Sequence, residues 1–285
     1  MLLENCANLK DAALTSLFAG CPSLRKLRLT NCLSMCSPRL RNAAVHSVEL
    51  LNCQSLGDHP VLEMVQHCPA LRAVKISGSC RSSYGSCQAG GEMPAASGTA
   101  TVASGVCTAV NGTTPAASSS ALRKLEIACT SWSDSTLDCL MAQTDNTLAT
   151  VCLSDCQSLV SPRLVGASLG SVTVSDCANL VDAAVSCLFQ CALQLSEVRL
   201  ARCNALLSPQ MVSLSVQSVS IHDCANICDL PVVQLVHSRS LLWAELFDCP
   251  CTKCWWVTLP SAMSWERVTP TRSRVRRLGA SFNGN

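Results

Sequence analysis

Apolar and polar positions along this chain repeat in blocks. A six-residue segment, L-x-x-L-x-L with Val or Ile as frequent substitutes, recurs almost from end to end. Its last apolar residue falls at Leu3, Leu29, Leu50, Ile76, Ile127, Leu153, Val174, Leu200, Ile221 and Leu246. The intervals are 26, 21, 26, 51, 26, 21, 26, 21 and 25 residues. Long and short units therefore alternate, and the 51 reads as a 21 carrying 30 inserted residues. A fixed period of this size marks a stacked repeat architecture. Within each segment the apolar residues alternate at period two, which predicts a strand with one buried face. Stacking the units aligns the ten strands into one parallel sheet.

Between strands the two unit types differ. Every long unit carries an aspartate five residues after its first cysteine: Asp11, Asp58, Asp134, Asp182 and Asp229. Aspartate is a favoured N-cap, and apolar residues follow at helical spacing, as in Ala13, Leu14, Leu17 and Phe18. A helix of about ten residues is predicted after each. Three short units carry Ser37-Pro38, Ser161-Pro162 and Ser208-Pro209 at that place. Proline fits a first helical turn, but too few residues remain for more. The fold class predicted is an α/β solenoid, a horseshoe with the parallel sheet on its concave face. Helices alternate with short extended or 3₁₀ segments on the convex face. One unit cannot bury its apolar face alone, so stability is roughly a sum over neighbours.

The solenoid is predicted over residues 1–249. Its insertion, about 82–120, is almost all Ala, Ser, Gly, Thr and Val with one charge, Glu92, and is expected to be a disordered loop. Residues 250–285 abandon the repeat and are expected to form an irregular, poorly ordered tail. That tail nevertheless holds Trp255, Trp256 and Trp265, then Arg267, Arg272, Arg274, Arg276 and Arg277.

The unit C-x-x-L-x-D, helix, C-P-x-L-x-x-L-x-L-x-x-C resembles the cysteine-containing leucine-rich repeats of F-box proteins, the plant type most closely through its Ser-Pro short units. Residues 6–32 carry the likeness at Cys6, Leu9, Asp11, Leu14, Cys21, Pro22, Leu24, Leu27, Leu29 and Cys32. Those family members are substrate receptors of cullin–RING ubiquitin ligases. The resemblance implies a protein substrate held on the concave face, with Skp1/cullin as partners only if an F-box lies outside this chain. The chain contains no F-box and opens inside a strand, so a truncated protein is the expectation.

Composition narrows the picture further. Hydrophobic residues make up 48% and aromatics only 4%, so Leu, Val, Ala and Cys must fill the core. Charged residues reach 14%, against roughly 25% in an average domain. The formal net charge of +2 points to neither nucleic acid nor membrane. No signal peptide is visible, because Glu4 interrupts the apolar start. Asn111-Gly-Thr113 is a formal glycosylation sequon. Of 22 cysteines, eight (6, 32, 53, 156, 177, 203, 224 and 249) stand three residues past the last strand residue. Cys80 falls one place late and Cys129 one early. The resemblance places such side chains in the turn leaving the strand. Successive thiols would stack one strand apart and point the same way, which suits free thiols better than disulfides. A cytoplasmic or nuclear protein is therefore expected. Cys249, Cys251 and Cys254, with His222 and Cys224 one repeat earlier, are the sharpest metal candidates. Zinc wants two spaced pairs, and no second C-x-x-C or H-x-x-x-H exists, so no metal is expected. No G-x-S-x-G, phosphate loop or H-E-x-x-H occurs either. Neither catalytic residues nor a cofactor are expected.

Function is expected on the strand residues that alternate with the core. The candidate partner-binding residues are Lys26, Arg28, Glu49, Lys75, Lys124, Glu126, Arg199, Trp243, Glu245 and Phe247. The N-terminal strands show a basic excess, the middle is small and polar, and the last strand adds large aromatics of the kind enriched at binding hot spots. A ubiquitin-ligase substrate receptor and an interaction scaffold without a ligase connection both fit these features.

Overall fold

The ten apolar residues that set the repeat lie side by side. In the computed structural model, Leu3, Leu29, Leu50, Ile76, Ile127, Leu153, Val174, Leu200, Ile221 and Leu246 are successive Cα partners along one row. The structure describes residues 1–78, 121–128, 132–144 and 147–249, and the backbone alone of 263–269 and 272–277. The expected loop at 82–120, its sequon, and Cys80, Cys129, Cys251 and Cys254 lie outside the described residues.

The strands are β1 (Leu2–Glu4), β2 (Lys26–Thr30), β3 (Ser47–Leu51), β4 (Ala73–Ser77), β5 (Lys124–Ala128), β6 (Thr150–Ser154), β7 (Ser171–Ser175), β8 (Glu197–Ala201), β9 (Ser218–His222) and β10 (Trp243–Phe247). All ten pair in parallel, in chain order. Five helices follow the five aspartates: α1 (Asp11–Gly20), α2 (His59–His67), α3 (Asp134–Thr144), α4 (Asp182–Cys191) and α5 (Asp229–His237). The Ser-Pro units cross as extended chain with turns, without helix. Leu27, Leu29 and their equivalents bury one face of the sheet against Leu14 and Phe18 of α1, and so on along the stack. This is a leucine-rich-repeat solenoid.

The aspartates do something other than what local propensity predicts. The N-caps of α1, α4 and α5 are Lys10, Val181 and Cys228, and Asp58 at the N-cap of α2 makes no capping bond. In α3 the neighbouring Ser133 takes that role, its Oγ accepting from the Thr136 N–H. Three of the carboxylates reach the next unit instead. Asp11 accepts from the backbone N–H groups of Cys36 and Ser37, at 2.9 and 3.0 Å. Asp134 accepts from Val160 and Ser161 at 2.9 and 2.8 Å, and Asp182 from Leu207 and Ser208 at 2.8 and 2.9 Å. The proline that follows has no N–H to satisfy. The next N–H, of Arg39, Arg163 or Gln210, is taken one helical turn along by Thr15, Asp138 or Ser186. These three long units thus clamp the Ser-Pro units that follow them. Asp58 differs: it is buried, and the Thr136 hydroxyl donates to it at 2.7 Å, tying α2 to α3.

Nine of the ten strands leave through a described residue of positive φ, at Asn5, Asn31, Asn52, Gly78, Asp155, Asp176, Arg202, Asp223 and Asp248. Asn, Asp and Gly tolerate that region best. The amides of the first repeats stack, Asn31 donating to Asn5 at 2.7 Å and Asn52 to Asn31 at 2.6 Å. At Gly78 a Cβ would come 2.6 Å from the Asn52 Cα, so only glycine fits. Arg202 is the exception by residue type, and its guanidinium grips Asp176 at 2.5 and 2.8 Å.

The cysteine row follows one residue later. Cys53, Cys156, Cys177, Cys203, Cys224 and Cys249 each donate Sγ–H to the carbonyl two residues back, at 3.3–3.6 Å. Cys156, Cys203 and Cys249 also reach a carbonyl of the preceding strand. Every cysteine of the described residues is a free thiol. Burial pushes the thiol of Cys53 up to about 11 and that of Cys224 up to about 12. Because the thiolate is the nucleophile, these groups are held inert. Iodoacetamide should alkylate exposed Cys21, Cys36, Cys191 and Cys228 first, the buried row lagging by about tenfold or more. A mass-spectrometric time course checks this; equal rates would show that the row breathes open.

Beyond the repeat, where sequence reading expects an irregular end, the described backbone holds two further strands. They are β11 (Met263–Thr269) and β12 (Arg272–Arg277), an antiparallel hairpin whose second strand pairs antiparallel with β10. Such a hairpin occupies the sheet edge that the last repeat would leave open, the liability terminal caps remove.

Candidate partner-binding face

Alternation in each strand leaves three rows of side chains on the inner, concave face. The central row runs Arg28, Glu49, Lys75, Glu126, Cys152, Thr173, Arg199, Ser220 and Glu245 as Cα partners. The row before it starts at Lys26 and ends at Trp243, with Lys124 midway, and the row after it ends at His222 and Phe247. All ten candidate residues therefore stand on one face, but they fall into two groups separated by the small residues of β6 and β7.

In the N-terminal group the signs alternate along the central row and pair across strands. Arg28 meets Glu49 at 3.3 Å, and Glu126 takes Lys75 at 2.9 Å and also Lys124 of its own strand at 2.6 Å. Hydrogen bonds from Lys124 and Lys75 hold the Glu126 carboxyl below the usual carboxylate range, and Glu126 in turn raises Lys124. A depressed carboxylate contributes stability above its unfolded value, lost as pH falls through the folded one. These cations are half-exposed, so the pairs add little stability at neutral pH. Their effect is to fix where the lysine and arginine heads stand.

The C-terminal group forms a concavity of about 430 Å³ lined by Glu197, Arg199, Ser220, His222, Trp243 and Glu245 among others. Its polar groups hold one another. Arg199 donates to Glu197 at 2.9 Å through Nε and 2.7 Å through Nη2, and Ser171 donates to the other Glu197 oxygen at 3.1 Å. Ser220 Oγ and His222 Nε2 are 2.6 Å apart, and the His222 ring lies 5.8 Å from that of Phe247. Glu245 is only 6% exposed and stands opposite Arg274 of β12 in the register. The result is a prearranged pocket with one aromatic wall.

Sequence reading left His222 out of this face and weighed it only as a metal candidate beside Cys224. The signal was available: His222 ends its strand as Phe247 ends the next, and the same alternation that placed Phe247 on the face places it there. Among the described residues no group of three His, Cys, Asp or Glu side chains could hold a metal ion. No helix of the described residues is long and apolar enough to cross a membrane.

No protein-family model matches the chain, and no curated protein is similar to it in sequence. Among solved structures it is similar to one described as the crystal structure of the Rad7 and Elc1 complex in yeast, at 12% identity and a TM-score of 0.33. The match covers 80% of this chain and 63% of that one, so the chain spans less than two thirds of its length. A likeness this distant carries no argument about activity. What the strand register and the alternating outer segments establish by themselves is the fold, a leucine-rich-repeat solenoid.

Proposed function

We propose that the chain is a protein-binding module whose concave face captures a partner, and that it is the substrate-recognition part of an F-box-type ubiquitin ligase. One observation supports the binding reading above others. Residues that recur from unit to unit lie in the core and the turns, whereas the inner face differs at every strand and ends in a preformed aromatic pocket. Extended inner surfaces are what solenoids use to hold partners. The ligase reading rests on the resemblance of the repeat unit, and its link to Skp1/cullin requires an F-box outside this chain. The free-thiol row favours a cytoplasmic or nuclear setting. The role is one of binding rather than catalysis, and needs neither cofactor nor metal.

Capture from cell extract tests the reading. Trp243→Ala should weaken retention of a bound protein by about thirtyfold, the effect of losing a hot spot worth about 2 kcal/mol. Lys26→Glu with Arg28→Glu and Lys75→Glu should weaken it without lowering the melting temperature. Both variants keeping every partner would remove the concave face as the binding site. Co-capture of Skp1 by the full-length gene product, and its absence, separate the ligase receptor from a plain scaffold.

A further inference from the structure

The N-terminal strands carry more positive charge than their inner rows alone show. Residues immediately before the strands form a fourth row, a rim, aligned by backbone bonds. The His46 N–H donates to the Arg25 carbonyl at 2.7 Å, that of Arg72 to His46 at 2.8 Å, and that of Arg123 to Arg72 at 2.9 Å. Arg25, Arg72 and Arg123 are exposed, as are Lys26, Arg28, Lys75 and Lys124 beside them. Across β2–β5, rim and inner rows together hold these seven cations against two carboxylates, Glu49 and Glu126. That is an excess of five in a chain whose formal net charge is +2, so the remainder is net negative. Each strand step is about 4.8 Å, below the screening length of about 8 Å at physiological salt, so the fields of neighbouring cations add. A cluster of this kind repels itself and weakens the folded chain unless something opposite settles on it. The insertion between β4 and β5 brings only Glu92 across 82–120 and cannot neutralise it.

We propose that this basic band docks an acidic segment of the protein partner, a stretch rich in Asp, Glu or phosphorylated residues lying across β2–β5. The inference rests on the concave face being the binding surface and adds the chemistry of what it takes. Four strands span about 14 Å, which an extended peptide covers in about four or five residues. The paired Glu126 and Glu49 hold the lysine and arginine heads in a fixed array, while the rim arginines offer forked donors suited to carboxylate or phosphate. A nucleic acid fits less well. The inner rows of β2–β5 hold no Phe, Tyr or Trp on which bases could stack.

The experiment uses the full chain and three fluorescein-labelled probes read by anisotropy: octaglutamate, octalysine, and a single-stranded octanucleotide. Octaglutamate should bind, and its affinity should fall by about tenfold as salt rises through the physiological range. Arg25→Glu with Arg72→Glu and Arg123→Glu should abolish that binding while leaving the circular-dichroism melt unchanged. Should the triple variant unfold, Arg72→Gln and Arg123→Gln, which only neutralise, should each weaken octaglutamate at least threefold. Trp243→Ala should leave this probe unaffected. Octaglutamate binding no better than octalysine would overturn the inference, as would tighter binding of the octanucleotide. If octaglutamate fails while protein capture still depends on Trp243, the inner-face reading stands and only the acidic segment falls. If octaglutamate binds while both capture variants keep every partner, the band survives as an anion site and the inner-face reading falls.

Discussion

Asp182→Ala should lower the stability of the chain by about 2–3 kcal/mol, one of the largest effects open to a half-buried side chain here. The carboxylate accepts from two consecutive backbone N–H groups, those of Leu207 and Ser208. Bonds to a charged acceptor contribute about 1.5–3 kcal/mol each, discounted because one of these is solvent-exposed. Removing the carboxylate leaves both donors to water or to nothing, and Pro209 beside them can offer no substitute bond. Asp182→Asn keeps one acceptor oxygen and should cost about half as much. Asp229→Ala provides the control. It stands at the same place in the last long unit but clamps no Ser-Pro unit among the described residues, so its loss should stay within about 0.5 kcal/mol. Urea unfolding of the three variants decides between a clamp and a local cap. Equal costs at 182 and 229 would return the aspartates to the capping role that propensity assigns them.

Trp132→Ala should cost about 3–5 kcal/mol and Trp132→Phe less than about 1.5. Trp132 lies between β5 and α3, is 1% exposed, and is the largest of the fully buried side chains. Truncation to alanine leaves a cavity in a solenoid whose units hold one another, so both neighbouring interfaces lose contacts. The indole Nε1–H has no hydrogen-bond partner among the described residues. An unmatched buried donor costs about 1–3 kcal/mol, so phenylalanine removes a penalty while it gives up volume. The two effects oppose, and the phenylalanine variant should melt close to the parent chain. If phenylalanine proves as damaging as alanine, the indole N–H is satisfied and the packing reading alone must carry the difference.

Much of this molecule can be read without its structure, and the repeats are the reason. Leu3 through Leu246 recur at intervals fixed by unit length, and the same ten residues become the aligned row of the sheet. Once strand alternation is known, residues such as Arg28, Lys75 and Trp243 have only one face to occupy. The five helices begin at or beside the five aspartates because the apolar spacing after each fits no other element. The candidate face was legible for the same reason, except that His222, the neighbour of Phe247 in the third row, was left out of it.

What the sequence could not decide is every bond made between units. Asp11 and Cys36 are 25 residues apart, and Asn5 and Asn31 are 26, yet stacking makes each pair neighbours. Local propensity compares a residue with the turn it belongs to, so it assigns Asp11 to its own helix and says nothing of the next unit. The pairing of Glu126 with Lys75, the arginine rim, and the hairpin of β11 and β12 against β10 arise the same way. By itself the sequence determined the period, the core row, the outer elements and which residues face inward, because burial and alternation act within a unit. Only the tertiary structure decided which polar groups satisfy one another, because those partners meet when the units stack at strand spacing and not before.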